Sequence, residues 1–285
     1  MKKAILIGIN YIRDSRLRLN GCINDAVAMG NVLMDAYDYP KTNITMLRDD
    51  SSDARYLPTA GNIVRELRAA VAQSSELEEL WIHYSGHGTY IRDMQGDERD
   101  GKDEMIAPLD CRSVGCISDD LLYNILNNAK CPTYMVFDCC HSGTICDLPW
   151  KFDYRNGSIY RSLENRVRIS NPNIFMISGS RDDQVSMDTF NRDSASYMGA
   201  LTSGLIDCLR YNRHNVMLFK LYTDLCRWMI TNGYSQIPCL SSSNPLPFYY
   251  ITRSVNKREN LNLYNTRRHR RNVGIMQRAQ RGRGT

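Results

Sequence analysis

Two apolar runs in this chain each end on a reactive side chain. One is Leu80-Trp81-Ile82-His83-Tyr84-Ser85-Gly86-His87-Gly88, and the other is Thr133-Tyr134-Met135-Val136-Phe137-Asp138-Cys139-Cys140-His141-Ser142-Gly143. A thiol and an imidazole brought together are the parts of a cysteine hydrolase. A free thiol has a pKa of about 8.5, so only a few per cent is thiolate at neutral pH. A neighbouring imidazole can take the thiol proton and later return it to a leaving amine. Backbone N–H groups of Gly88 and Cys140 are the candidate oxyanion donors, one such donor being worth roughly 3–4 kcal/mol. Successive side chains along a strand face opposite ways, so Cys139 and Cys140 cannot both face the site. Cys140, nearer the turn, is the candidate nucleophile, and His87 is the candidate base. Taken singly, a buried Cys is usually a small hydrophobe and a His an ordinary satisfied group; their occurrence together is what points to catalysis. A zinc site built on Cys139, Cys140, His141 and Cys146, or on Cys111 and Cys116, is disfavoured because no CxxC pair is present.

The elements that must deliver these groups alternate strand and helix patterns. Strands are expected at Ala4–Asn10, Asn43–Leu47, Glu79–Tyr84, Thr133–Asp138, Asn173–Ser178 and Phe248–Thr252. Helices are expected at Gly21–Tyr37, Pro58–Gln73, Asp119–Asn127, Tyr197–Arg210 and Leu218–Asn232. Such alternation implies an α/β fold with a mostly parallel central sheet flanked by helices on both faces. The separation of 53 positions from His87 to Cys140 leaves room for a crossover, so their strands can be parallel neighbours. Ligands of such sheets bind at the carboxyl ends of the strands, where both residues fall. Residues 89–118 read as a polar, acidic loop, and residues 144–172 as an irregular, basic one.

Hydrophobic content of 42% and charged content of 24% are ordinary for a globular protein. No run approaches the length of a membrane span, and the short apolar start reads as a strand rather than a secretory leader. The ten cysteines therefore read as reduced thiols of a cytoplasmic or nuclear protein. Net charge is +5, but residues 253–285 hold ten Lys/Arg against one acid, so the tail is +9 and the body −4. The expected organisation is one domain over 1–252, with a large part over about 1–150, a link over about 151–172 and a small part over about 173–252. A basic, flexible tail follows over 253–285. That tail is a candidate nucleic-acid contact.

At these motifs the chain resembles the metacaspases, caspase-like cysteine peptidases. The resemblance is carried by His83-Tyr84-Ser85-Gly86-His87-Gly88-Thr89 and Asp138-Cys139-Cys140-His141-Ser142-Gly143. It is also carried by Leu19-Asn20-Gly21-Cys22-Ile23-Asn24-Asp25-Ala26, Asp100-Gly101-Lys102-Asp103-Glu104 and Ile117-Ser118-Asp119-Asp120, and downstream by Ile177-Ser178-Gly179-Ser180 and Gly199-Ala200-Leu201-Thr202. It covers about residues 3–252. It implies a caspase-like fold, a His87/Cys140 dyad working through a thioester acyl-enzyme, and cleavage of protein or peptide substrates after Arg or Lys. Asp25 and Asp138 then line the specificity pocket, with Ser85 and Cys22 beside them. Paired buried carboxylates suit a cation, and Arg can be gripped bidentately. From the residues alone, Asp25 reads equally as a first-turn acid complementing the helix dipole, and Asp138 as a strand-end cap.

Residues 93–104 hold six acids but do not fit the EF-hand template. From composition alone they read as a solvated loop. The resemblance instead implies an activating Ca²⁺ held by Asp103, Asp119, Asp120 and Asp147. The chain departs from many metacaspases in starting directly at the first strand and in carrying Cys139 where Ala or Ser is usual before the nucleophile. Lys151, Arg155, Arg161, Arg166 and Arg168 are candidate self-cleavage sites. The resemblance also implies a monomer. Competing readings are a caspase-type peptidase cutting after Asn or Asp, a non-catalytic interaction module, and a nucleic-acid-binding protein resting on the tail.

Overall fold

The computed structural model describes residues 1–92, 102–140, 145–166, 169–179, 188–191 and 196–253. Strand β1 (Lys2–Gly8) shows why the sheet must be covered twice. Ala4 and Leu6 join one core, Ile5 and Ile7 the other, and all four are buried. In chain order there follow α1 (Cys22–Tyr37), β2 (Ile44–Arg48), α2 (Ala60–Ala72), β3 (Glu79–Ser85), β4 (Gly88–Arg92), β5 (Lys102–Ile106) and α3 (Cys111–Val114). Next come β6 (Ile117–Ser118), α4 (Asp119–Leu126), β7 (Thr133–Asp138), β8 (Trp150–Arg155), β9 (Ser158–Leu163), β10 (Ile174–Ser178) and β11 (Asp188–Asn191). The chain continues through β12 (Ser196–Gly199), α5 (Ala200–Tyr211), β13 (Asn215–Met217), α6 (Leu218–Thr231), β14 (Cys239–Ser242) and β15 (Tyr250–Thr252).

The main sheet runs β2-β1-β3-β7-β10-β14-β8-β9. Its first five strands pair in parallel and its last three antiparallel. Helices α1, α5 and α6 bury residues such as Met29, Leu205 and Leu225 against one face. Helices α2 and α4 bury Ile63, Leu67 and Leu122 against the other. The expected architecture, a mostly parallel sheet between two helical layers, is the one observed.

Several local expectations are corrected. Residues 144–172 are not wholly irregular, because β8 and β9 form a hairpin that extends the sheet. Its turn, Asn156-Gly157, has φ of 49° and 84°, the left-handed pair that a tight hairpin requires. Lys151, Arg155 and Arg161 therefore lie in paired strands, a poor conformation for self-cleavage. Arg155 is ion-paired to Asp153 at 2.8 Å, and the Arg161 guanidinium lies 5.0 Å from the Trp150 ring. Within 89–118, the described residues form a small sheet, β4-β5-β6. The helix expected from Tyr197 begins only at Ala200, because Ser196–Gly199 pair with β11. Strand β14 was not expected, and the last strand pairs with β13 rather than with the main sheet. Most of the acidic run, Arg168 and residues 254–285 lie outside the described residues.

Gly157 sits at a φ that costs an L-residue about 1–2 kcal/mol. Gly157→Val should lower unfolding free energy by about that amount or more, measured by urea denaturation. A substitution without effect would show that the hairpin turn does not contribute to stability.

Candidate active site

Strands β3 and β7 are parallel neighbours, with Ser85 paired to Asp138. His87 and Cys140 each lie two residues past this pair, beyond the ends of their strands. The strand ends touch: a Cβ on Gly88 would lie 1.9 Å from the Cys140 carbonyl oxygen, so only glycine fits there. Cys139 is fully buried in the core beneath α2 and α4, while Cys140 is half-buried. Both thiols lie past the end of β7, and they differ in burial. His141 to Thr144 lie outside the described residues.

His87 is held by its backbone and its ring. Its N–H donates to Tyr11 Oη at 3.0 Å, and its carbonyl accepts from Tyr84 Oη at 2.7 Å and from Ala107 N–H at 3.0 Å. Tyr11 Oη donates onward to the Ala107 carbonyl at 2.6 Å. Burial raises the Tyr11 phenol pKa, which keeps it protonated as a donor. The Tyr11 ring packs on the imidazole with centroids 4.8 Å apart. His87 Nε2 lies 2.7 Å from the Leu17 carbonyl oxygen. A carbonyl only accepts, so Nε2 carries the hydrogen and Nδ1 is the basic nitrogen. The loop bearing Leu17 is itself pinned, because Asp49 accepts from the N–H groups of Asn10 and Ile12 at 2.9 Å. The Asn10 side chain in turn caps α1 by accepting from Cys22 and Ile23. Tyr11, Tyr84 and the Leu17 carbonyl were not expected from the sequence.

Beside this pair lies an acidic cluster. Asp25 on α1 and Asp138 at the end of β7 are both buried. A Cβ on Gly199 would lie 2.1 Å from Asp138 Oδ2 and 2.9 Å from Asp25 Oδ2, so one point is close to both carboxylates. Ser85 Oγ donates to Asp25 Oδ2 at 2.6 Å, and Gly199 N–H donates to Asp25 Oδ1 at 2.9 Å. Thr202 donates both its N–H and its hydroxyl to Asp138 Oδ2, each at 2.8 Å. Gly199 is the N-cap of α5 and offers no side-chain cap, so the two carboxylates serve the donors at this helix start. Cys22 sits one turn ahead of Asp25, buried, with its carbonyl against Gly8. Asn24 ties α1 to β12 through the Tyr197 carbonyl at 2.9 Å. Asp25, Asp138 and Ser85 are thus brought together as expected. Gly199 and Thr202 join them; their sequence signal was the Gly199-Ala200-Leu201-Thr202 segment that carries the family resemblance.

The four aspartates implied for calcium sit on three segments. Asp103 is on β5, Asp119 and Asp120 open α4, and Asp147 follows the Cys140 turn with φ of 46°. Asp119 is buried and accepts from the Glu104 and Asp120 N–H groups at 2.7 and 2.8 Å. Burial, and then the charges of Asp147 and Asp103, push its carboxyl up to about 7. Those three acids therefore feel one another, and a divalent cation would relieve their repulsion. Among the described residues, no three His, Cys, Asp or Glu side chains are already gathered to hold a metal ion.

A half-buried thiol and an oriented imidazole at neighbouring strand ends of a two-sided α/β sheet define the class as a cysteine hydrolase. The family model described as metacaspase, peptidase C14 domain, matches residues 2–149. Metacaspase-1 of Schizosaccharomyces pombe is 31% identical, the match covering 86% of this chain and 68% of that protein. Metacaspase-1 of Saccharomyces cerevisiae is 30% identical, with 86% and 67% covered. Among solved structures, a Geobacter sulfurreducens protein superposes with a TM-score of 0.61 at 23% identity, over 90% of this chain and 99% of that one. Caspase-1 of Spodoptera frugiperda superposes with a TM-score of 0.56 at 15% identity, over 85% and 86%. The chain belongs to the metacaspase family and has the caspase-like fold; it is a cysteine-type peptidase.

Removing the Tyr11 hydroxyl deprives the His87 N–H of its acceptor, a loss of about 1–3 kcal/mol for a buried group. Tyr11→Phe should lower thermal stability and reduce kcat/KM by about tenfold through misplacement of the imidazole. Wild-type kcat/KM in this variant would remove Tyr11 from the positioning of His87.

Proposed function

We propose that this chain is a calcium-activated endopeptidase that cuts proteins after Arg or Lys, with Cys140 as nucleophile and His87 as base. The observation that carries the specificity is the buried pair Asp25 and Asp138, both close to one point beside the Cys140 strand end. A cationic side chain offsets the cost of burying two carboxylates, and a guanidinium fits them bidentately. Asp and Asn substrates would gain nothing there.

The cycle follows from the tautomer. Nε2–H rests on the Leu17 carbonyl, so Nδ1 takes the Cys140 proton. The thiolate attacks the carbonyl carbon of the Arg or Lys, and the oxyanion is received by the N–H groups of Gly88 and Cys140. His87 then protonates the leaving amine, and a thioester remains on Cys140. Water activated by the same nitrogen hydrolyses the thioester and restores the thiol.

Asp103, Asp119, Asp120 and Asp147 are the residues that would hold calcium. The ion accepts about 6–8 oxygens from separate loops and would supply the positive charge those carboxylates lack. Drawing Asp147 toward α4 would brace the segment that leaves Cys140, since Ile145 and Cys146 are already anchored in the core.

Fluorogenic peptides ending in Arg, Lys, Asp or Asn test both parts. Activity is expected only after Arg and Lys, only with calcium, and is lost in Cys140→Ala. Asp119→Asn and Asp147→Asn should each abolish both calcium activation and any calcium-induced rise in Tm. Cleavage after Asp, or full activity in a calcium chelator, would overturn the corresponding part.

A further inference from the structure

Strand β3 carries a second histidine, His83, which the chemistry above does not use. It is fully buried on the side of the sheet covered by α1 and α5. Its Nε2 lies 3.3 Å from Thr202 Oγ1. The direction of this bond follows from its neighbour. Thr202 has one hydroxyl proton and gives it to Asp138 Oδ2 at 2.8 Å, an oxygen that also accepts the Thr202 N–H at 2.8 Å. An ionised carboxylate only accepts, so the hydroxyl offers His83 nothing but lone pairs. Nε2 therefore carries the hydrogen. Nδ1 is then bare, and it has no hydrogen-bond partner among the described residues.

We infer that His83 and Thr202 are positioning residues for substrate specificity. A directed chain, His83 Nε2–H to Thr202 Oγ1–H to Asp138 Oδ2, fixes the acidic pocket. The inference rests on the proposed role of Asp25 and Asp138 in receiving Arg or Lys. A helical threonine has a competing rotamer, in which its hydroxyl bonds a carbonyl three or four residues back, for Thr202 that of Gly199 or Met198. The His83 N–H gives the sheet-facing rotamer a second bond and removes that freedom. Asp138 is thereby held from β7 and α5 together, at the orientation it shares with Asp25. The imidazole acts through its Nε2 donor alone, so an amide that presents an N–H at the same place can replace it.

The test uses the full chain with calcium present and peptides ending in Arg, Lys or a neutral residue. Wild-type cleavage after Arg and Lys is the first arm; its failure sinks the pocket assignment itself and leaves the tautomer to be judged separately. In the second arm, His83→Leu and Thr202→Val should raise KM for Arg peptides about tenfold with a much smaller change in kcat. His83→Gln and Thr202→Ser, which keep the donor and the hydroxyl, should stay within about threefold of wild type. Mass spectrometry of Cys140 alkylation by iodoacetamide should give rates within about threefold of wild type in all four variants. Nitrogen NMR of labelled histidine should show His83 neutral with the proton on Nε2. Unchanged KM in the Leu and Val variants would overturn the inference while the pocket stands. So would equal losses in His83→Gln and His83→Leu, slowed Cys140 alkylation, or a proton found on Nδ1.

Discussion

The register between β3 and β7 is the constraint on which the rest depends. Parallel strands lie about 4.8 Å apart, and pairing Ser85 with Asp138 decides what meets beyond the strand ends. One residue of slip would turn every side chain of one strand to the wrong face. Asp138 would leave the α1–α5 side, and His87 would no longer stand across from Cys140. The register is itself enforced by burial: Trp81, Tyr134 and Phe175 belong to one core, and Ile82, Met135 and Met176 to the other. Hydrophobic burial on both faces thus sets the geometry of a polar site at the edge.

Two kinds of charge are handled at this edge by two devices. The carboxylates of Asp25 and Asp138 are stabilised by donors from the start of α5, by Ser85 and by Thr202. Asp119 is stabilised by backbone N–H groups but burdened by Asp103 and Asp147, so its carboxyl tends toward the protonated form. In the proposed function the first arrangement receives a cation carried by a substrate. In the same proposal the second receives a free ion.

Much of the fold was legible because parallel strands buried on both faces read as unbroken apolar runs. The thiol and the imidazole were legible because they stop those runs. The hairpin of β8 and β9 was equally written in the chain. Trp150-Lys151-Phe152-Asp153-Tyr154-Arg155 alternates strictly and is followed by Asn156-Gly157, but the number of basic residues drew the stretch toward a loop. Strand β14, Cys-Leu-Ser-Ser, has no intrinsic strand signal and is extended because it fills the gap between β10 and β8. At the site, Asp25 and Asp138 were visible as residues, but their meeting depends on α1 and β7 converging on Gly199. Tyr11 was not visible, since a tyrosine in a polar loop has no pattern. The grouping of the four aspartates came from family resemblance, because they lie on segments that only the folded chain brings near one another.

The Leu17 carbonyl orients the imidazole, and it belongs to the main chain rather than to a side chain. Every amino acid carries the same carbonyl, so the tautomer of His87 does not depend on the side chain at position 17, which packs against the core. What cannot vary freely is the path of the loop, which Asp49 and Asn10 hold from outside the site. Substitution scanning would therefore find position 17 tolerant of other apolar residues and positions 10 and 49 intolerant. The chemical dependence on this loop would look like a folding requirement of two residues that act only through main-chain N–H groups.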